Sequence, residues 1–185
     1  MRLDLSSEER RILLRAARDA IRARLDHTGE PSNTRLTPSL QARCGAFVTL
    51  YKGGSLRGCV GYTETDKSLY ETVISAAKAA AFHDSRFNPV TFDELGSIDI
   101  EISVLGPATP IDNWENIEIG KHGIILEKGR FRALFLPQVA LENGWDLPAT
   151  LSHLARKAGV PEDGWRAGAS FMVFTSIKFG EVDAS

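Results

Sequence analysis

Only two cysteines, Cys44 and Cys59, occur among the 185 residues, too few for the stapled framework of a small secreted domain. They are also poorly placed to pair with each other. If a hairpin turns at Gly53-Gly54, residue 59 opposes residue 48 and Cys44 lies about four positions along the strand, roughly 13 Å away at about 3.4 Å per residue. A disulfide needs Cα atoms within about 7 Å. No apolar run approaches the length of a membrane span. The stretch Met1 to Glu9 turns acidic and helical at once and has no apolar centre, so it does not read as a signal peptide; a cytoplasmic protein with no membrane partner is expected. An excess of charge of one sign is also lacking. Lys and Arg number 22 against 24 Asp and Glu, a net charge of -2, which gives no general field for nucleic acid. Arg11, Arg15, Arg18 and Arg22 line one side of the first helical pattern, but Glu8, Asp19 and Asp26 flank them, as on a solvated face. Phosphate loops, dinucleotide fingerprints and the common metal spacings are missing, so no metal is assigned and the cofactor is left unknown.

What is present reads as a globular chain, with 43% apolar and 25% charged residues. Its length suits a single domain, 1–185, with either one sizeable core or two lobes that share a cleft. Ser6 with Glu9 makes a capping box ahead of apolar Ile12, Leu13, Ala16, Ala17, Ala20, Ile21 and Leu25, which predicts an amphipathic helix over 7–26. Gly29 and Pro31 stop it, and 27–43 read as a loop. A hairpin follows over 45–61, turning at Lys52-Gly53-Gly54-Ser55. Asp66 or Ser68 caps a second helix running to about His83 on a stripe of small residues. Ile98, Ile100, Ile102 and Val104 alternate with Asp99, Glu101 and Ser103, a strand signal. Residues 106–119 read as a loop, and Lys128-Gly129-Arg130 as the turn of a second hairpin. A short helix or turn over 138–145, a helix over 148–158 and a last strand over 171–179 complete the chain; His153 has no evident partner. Strands joined by short turns, without strict alternation with helices, predict an α+β fold with a mainly antiparallel sheet flanked by helices.

Chemistry concentrates at Leu56-Arg57-Gly58-Cys59-Val60-Gly61. On an unbroken strand, alternation sets Arg57, Cys59 and Gly61 on one face. A fixed positive charge beside a thiol favours the thiolate, so Arg57→Ala is expected to raise the titration of Cys59. Gly58 and Gly61 let a ligand approach main-chain N–H groups. The plainer alternative makes Cys59 a small buried apolar residue, with Arg57 reaching water. Asp84 and Arg86, in a turn closed by Pro89, are near enough to hold each other or a ligand. Glu101 is either an acid, base or ligand beside a cleft or merely a solvated carboxylate, and His122 sits in a turn between Gly120 and Gly123.

Gly45 to Leu50, Leu56 to Gly61, Asp84-Ser85-Arg86-Phe87, Glu101 to Leu105, His122-Gly123 and Leu136 to Ala140 together resemble the AMMECR family, whose prokaryotic members are called AmmeMemoRadiSam system protein A. The resemblance runs from about Arg43 to Phe179. Val60, Ser85 and Asn88 depart from residues common in the family, which bears only on the rigidity of the turn at 84–89. The resemblance implies a two-lobed α+β fold whose shared motifs gather at a cleft, and it marks Arg57, Gly58, Cys59, Gly61, Asp84, Arg86, Glu101, His122 and Gln138. It implies Memo-type and radical-SAM proteins of the same system as partners, without settling a reaction. Three readings stay open. In the first, an enzyme uses Cys59 as nucleophile, His122 as base or acid and Glu101 or Asp84 as its orienter, while Arg57 and Arg86 bind an anionic substrate. In the second, the same groups form a non-catalytic ligand-binding or accessory module for a Memo-type partner. A third and weaker reading places a metal on Cys59, His122 and Glu101.

Overall fold

The computed structural model describes residues 4–32 and 35–181; residues 1–3, which open the N-terminal stretch read above, lie outside them. The chain divides into two compact units, one of residues 4–105 with 177–181 and the other of 106–176. The first carries α1 (Ser7–Leu25), α2 (Pro38–Gln41), β1 (Ala46–Lys52), β2 (Ser55–Tyr62), α3 (Leu69–Phe82), α4 (Phe92–Leu95) and β3 (Ile98–Leu105). The second carries β4 (Thr109–Ile111), β5 (Gly123–Lys128), β6 (Phe131–Phe135), α5 (Pro137–Asn143), α6 (Leu147–Ala158) and β7 (Ser170–Phe174). The last strand, β8 (Ser176–Gly180), returns the chain to the first unit. The fold is α+β, and its strands form two four-stranded antiparallel sheets, ordered β2-β1-β3-β8 and β4-β7-β5-β6.

In the first unit, α1 starts at the predicted capping box, with Ser6 accepting from the Glu9 N–H while the Glu9 side chain accepts from the Ser6 N–H. Ser68, not Asp66, caps α3, through the same reciprocal arrangement with Glu71. The β1–β2 turn puts Gly53 and Gly54 at φ 57° and 77°, a region that glycine enters without Cβ strain. Helix α3 packs on β1 and β2, and α1 packs on α3. Val48, Leu50, Ile100 and Ile102 are buried beneath them, each contributing about 1.5–3 kcal/mol through burial of its side chain. The small residues Ala76, Ala77 and Ala80 bring α3 close to the sheet. So close is the approach that a Cβ on Gly58 would lie 2.3 Å from the Ala80 carbonyl oxygen.

The second unit buries Ile124, Leu126, Leu151, Leu154, Trp165 and Phe171. Trp114 meets Trp165 edge-on at 5.0 Å. His153, which the sequence left without a partner, stacks on Trp145 at 3.8 Å and contacts Arg156.

Three segments differ from the sequence reading. The supposed loop 27–43 holds α2, started by Thr37 and Pro38, and 106–119 holds β4 and a 3-10 turn over Trp114–Asn116; elements this short show no period. The supposed strand 171–179 is two strands in different sheets, parted at Thr175. Its apolar alternation continues through the break, so periodicity alone could not find it.

Candidate functional site

The hairpin register departs from the count that placed residue 59 opposite residue 48. Leu50 faces Gly58 and Tyr51 faces Leu56, so Arg57 has no residue opposite it and forms a bulge. Downstream the pairing shifts by one, setting Cys59 opposite Thr49 and Val60 opposite Val48. Since Val48 and Leu50 point into the core, alternation sends Thr49 and Cys59 to the other face of the sheet. Thr49 is paired on its other side with Glu101. Cys59, Thr49 and Glu101 therefore form a row across three adjacent strands, and the Thr49 hydroxyl donates to Cys59 Sγ at 3.3 Å.

Arg57 is not the cation of this row. The bulge breaks the alternation that would align it with Cys59, and Glu94 of α4 takes its guanidinium, accepting from Nε at 3.2 Å and from Nη2 at 3.0 Å. Its side chain is 14% exposed, and Nη1 is buried without a hydrogen-bond partner among the described residues. Glu94 also accepts from Lys52 Nζ at 2.9 Å. Arg57 first, then Lys52, draw the Glu94 carboxyl down to about 2. This network ties α4 to the hairpin and explains Arg57 without reference to a ligand.

Arg86, not Arg57, is the arginine that bonds to Cys59, through its main chain. Strand β2 is an edge strand, and the main-chain atoms of Cys59 face outward from its pairing with β1. Asp84 Oδ2 accepts the Cys59 N–H at 2.9 Å, and Arg86 Nη2 donates to the Cys59 carbonyl at 3.3 Å. The two side chains clasp each other, Arg86 Nε donating to Oδ1 at 2.9 Å and Nη2 to Oδ2 at 2.7 Å. They serve Cys59 as a neighbouring strand would, filling one step of an otherwise open edge. The Arg86 guanidinium, aided by the Cys59 N–H, holds the nearly buried Asp84 carboxyl far below the usual carboxylate range against the opposing effect of burial.

Glu101 is held by Lys178 of β8, with Nζ to Oε2 at 3.0 Å. The two motif glycines have packing reasons of their own. A Cβ on Gly61 would lie 2.4 Å from the Phe47 ring and 2.5 Å from the Ala46 oxygen, and Gly58 is the residue against which α3 lies. His122 and Gln138 belong to the second unit. The His122 Nδ1 accepts the Glu118 N–H at 3.0 Å, so the neutral ring carries its hydrogen on Nε2, and Gln138 lies in the first turn of α5 behind Pro137. Among the described residues, no group of three or more His, Cys, Asp or Glu is arranged to hold a metal ion, and no helix is long and apolar enough to cross a membrane. A groove of about 570 Å³ is lined on one side by Glu30, Pro31, Ser32 and Leu36 and on the other by Lys67, Tyr70, Glu71 and Ile74 at the start of α3; none of the motif residues lines it.

Sequence reasoning missed Thr49, Glu94 and Lys178. Thr49 carried a signal in hindsight, a polar residue between Val48 and Leu50 on the strand paired with Cys59. Glu94 and Lys178 lie far along the chain from their partners and carried none.

The run of motifs has a counterpart at the level of whole proteins, since the AMMECR1 family model matches residues 14–179. The chain belongs to the AMMECR1 family. Among its relatives, a protein of Methanothermobacter thermautotrophicus is 44% identical over 169 residues, 86% of each chain. One of Methanopyrus kandleri is 42% identical over 170 residues, 87% of this chain and 82% of that one. The crystal structure of an uncharacterized protein from Pyrococcus horikoshii superposes with a TM-score of 0.85 at 36% identity, covering 91% of this chain and 89% of that one. The AMMECR1 match spans both compact units.

Proposed function

We propose that this AMMECR1-family protein works through Cys59, as a cysteine-dependent enzyme on a small substrate that carries an anionic group. One observation carries the reading: the Cys59 main chain is fixed at both polar atoms by Asp84 and Arg86, while its half-buried thiol takes a hydroxyl hydrogen bond from Thr49 on the sheet face away from the helices. A nucleophile gains from such immobility, because chemistry demands a fixed attacking atom. Arg86 is the anion-binding arm. Its side chain is 56% exposed and its Nη1 takes no part in the bonds to Asp84 and Cys59. His122 serves as base or acid and Gln138 as a substrate contact on the strength of their motifs, with Glu101 as the orienting carboxylate. Gly58 and Gly61 shape the strand. The two units act as one AMMECR-type domain, in the cytoplasm, in a pathway shared with Memo-type and radical-SAM partners.

A second reading, the accessory module, is favoured by one specific fact. The Cys59 N–H, which would be a natural oxyanion donor beside the nucleophile, is already given to Asp84. Alkylation separates the two readings. With Cys44 replaced by Ser, the enzyme reading expects iodoacetamide to label Cys59 in the folded protein, with a rate midpoint below the ordinary thiol value of about 8.5. A Cys59 that stays unlabelled, or titrates at or above that value, establishes the module instead.

A further inference from the structure

We infer that Thr49 is the positioning residue of Cys59, its hydroxyl stabilising the thiolate and fixing the direction of the sulfur. This rests on the reading of Cys59 as nucleophile. Thr49 lies on a strand with neighbours on both sides, and its chain neighbours Val48 and Leu50 are wholly buried, so its backbone has no freedom to turn away. A β-branched side chain on such a strand is also restricted at χ1. The hydroxyl is thereby held 3.3 Å from Sγ. In the neutral pair either group can donate, the thiol weakly. Once the thiol ionises, only the hydroxyl can donate, and a hydrogen bond to an ionised acceptor is roughly twice as strong as one between neutral groups. The Thr49 hydroxyl thus binds the thiolate more tightly than the thiol.

The charged groups nearest the thiol come in oppositely charged pairs. Asp84 and Arg86 flank it from the segment after α3, and Glu101 of β3 with Lys178 of β8 lies beyond Thr49 on the same face. Asp99 and Tyr51 face each other one cross-strand step further along. Removing the Thr49 hydroxyl changes no charge in this set, so a change in thiol titration on Thr49→Val reports the hydrogen bond itself. Valine keeps the branched shape.

The test uses the full chain with Cys44→Ser and follows the iodoacetamide rate of Cys59 from about pH 5 to 10, with circular dichroism confirming the fold. Thr49→Val is expected to raise the midpoint by about 0.5–1 unit, slowing alkylation at neutral pH about 3- to 10-fold. Thr49→Ala should do the same, and Thr49→Ser, which keeps the hydroxyl, should stay within about 0.3 unit of the parent. An unchanged midpoint in Thr49→Val and Thr49→Ala, with the parent titrating below about 8.5, overturns the role of Thr49 and leaves Cys59 as nucleophile. Equal shifts in the Val and Ser variants also overturn it, since they would report packing. A parent that fails to label, or titrates at or above 8.5, overturns the nucleophile reading, and this inference with it.

Discussion

Asp84 accepts the main-chain N–H of Cys59 at 2.9 Å through the same Oδ2 that receives Arg86 Nη2 at 2.7 Å. Three features of the sequence, an edge strand, a turn ending at Pro89 and a thiol, are joined by that one oxygen. Without it, Cys59 would present an unpaired N–H and C=O on an open edge, free to slip or to pair with another chain. With it, both outward main-chain atoms of the residue carrying the thiol are taken up by side chains.

The first prediction concerns acid. The Asp84 carboxyl is held below its ordinary range in the folded protein, whereas in the unfolded chain it titrates near 3.9. A depressed folded value means that the stabilisation is fully present above about pH 4 and is lost as pH falls toward the folded value. Asp84→Asn should destabilise by about 1–3 kcal/mol at pH 7, through a weakened acceptor for a nearly buried N–H, and by clearly less at pH 2.5. Urea unfolding at the two pH values measures this, and an equal loss at both would show that the carboxylate charge plays no part.

The second prediction uses the glycines. Gly58→Ala sets a Cβ 2.3 Å from a helix carbonyl, and neither partner can rotate aside, so α3 must lift from β2. A loss of about 3 kcal/mol or more is expected, at the upper end for overpacking. At Gly61 a Cβ would meet the base of the Phe47 ring at 2.4 Å and the main-chain oxygen of Ala46 at 2.5 Å, so Gly61→Ala should also lose about 3 kcal/mol or more. Thermal melts of the two variants measure this; a loss below about 1 kcal/mol in either would show that the strand shifts to make room for the added methyl group.

The α+β class, the first capping box and both hairpin turns were legible in the sequence because each is written locally, in caps, glycines or alternation. The bulge at Arg57 was not, since an extra residue in one strand leaves no mark on alternation read by eye. It mattered, because it moved the partner of Cys59 from Val48 to Thr49 and exchanged the arginine beside the thiol. The engagement of Arg57 by Glu94 and of Glu101 by Lys178 spans 37 and 77 residues, and single-sequence reasoning has no rule for choosing partners at that range. Asp84 with Arg86 was found as a pair because the two are adjacent in the turn; what they hold was not.

A third prediction tests the arginine stripe of α1. Arg11, Arg15 and Arg22 are exposed, but Arg18 is not part of a solvated face. Its guanidinium pairs with Glu181 and donates to the carbonyls of Leu95 and Ile98. Arg18→Ala should therefore destabilise by about 2–4 kcal/mol, since the part-buried Glu181 carboxylate loses its cation, though not the Ile100 N–H, and two carbonyls lose this donor, while Arg15→Glu with Arg22→Glu should fold normally. Neither parent nor double variant should bind generic duplex DNA; salt-sensitive micromolar binding lost in the double variant would restore a nucleic-acid role.

The last prediction asks which arginine sets the state of the thiol. Arg57 is held by Glu94, whose carboxyl lies at about 2 because of it and Lys52, and the bulge separates it from the row that carries Cys59. Arg86 touches the Cys59 carbonyl. In the Cys44→Ser background, Arg86→Ala should raise the midpoint of Cys59 alkylation by about half a unit or more, since a nearby positive charge favours the thiolate; Arg57→Ala should leave it within about 0.2 unit. Their effects on stability run the other way. Arg57→Ala strands a part-buried Glu94 and should lose about 2–3 kcal/mol at pH 7. That loss has its own pH signature: the Glu94 value is depressed in the folded state, so its contribution is present above the unfolded value of about 4.3 and is lost as pH falls through about 2. At pH 2.5 the penalty of Arg57→Ala should therefore have shrunk. If Arg57→Ala shifts the thiol and Arg86→Ala does not, the bulge has been misjudged, and simple alternation along β2 was the better guide.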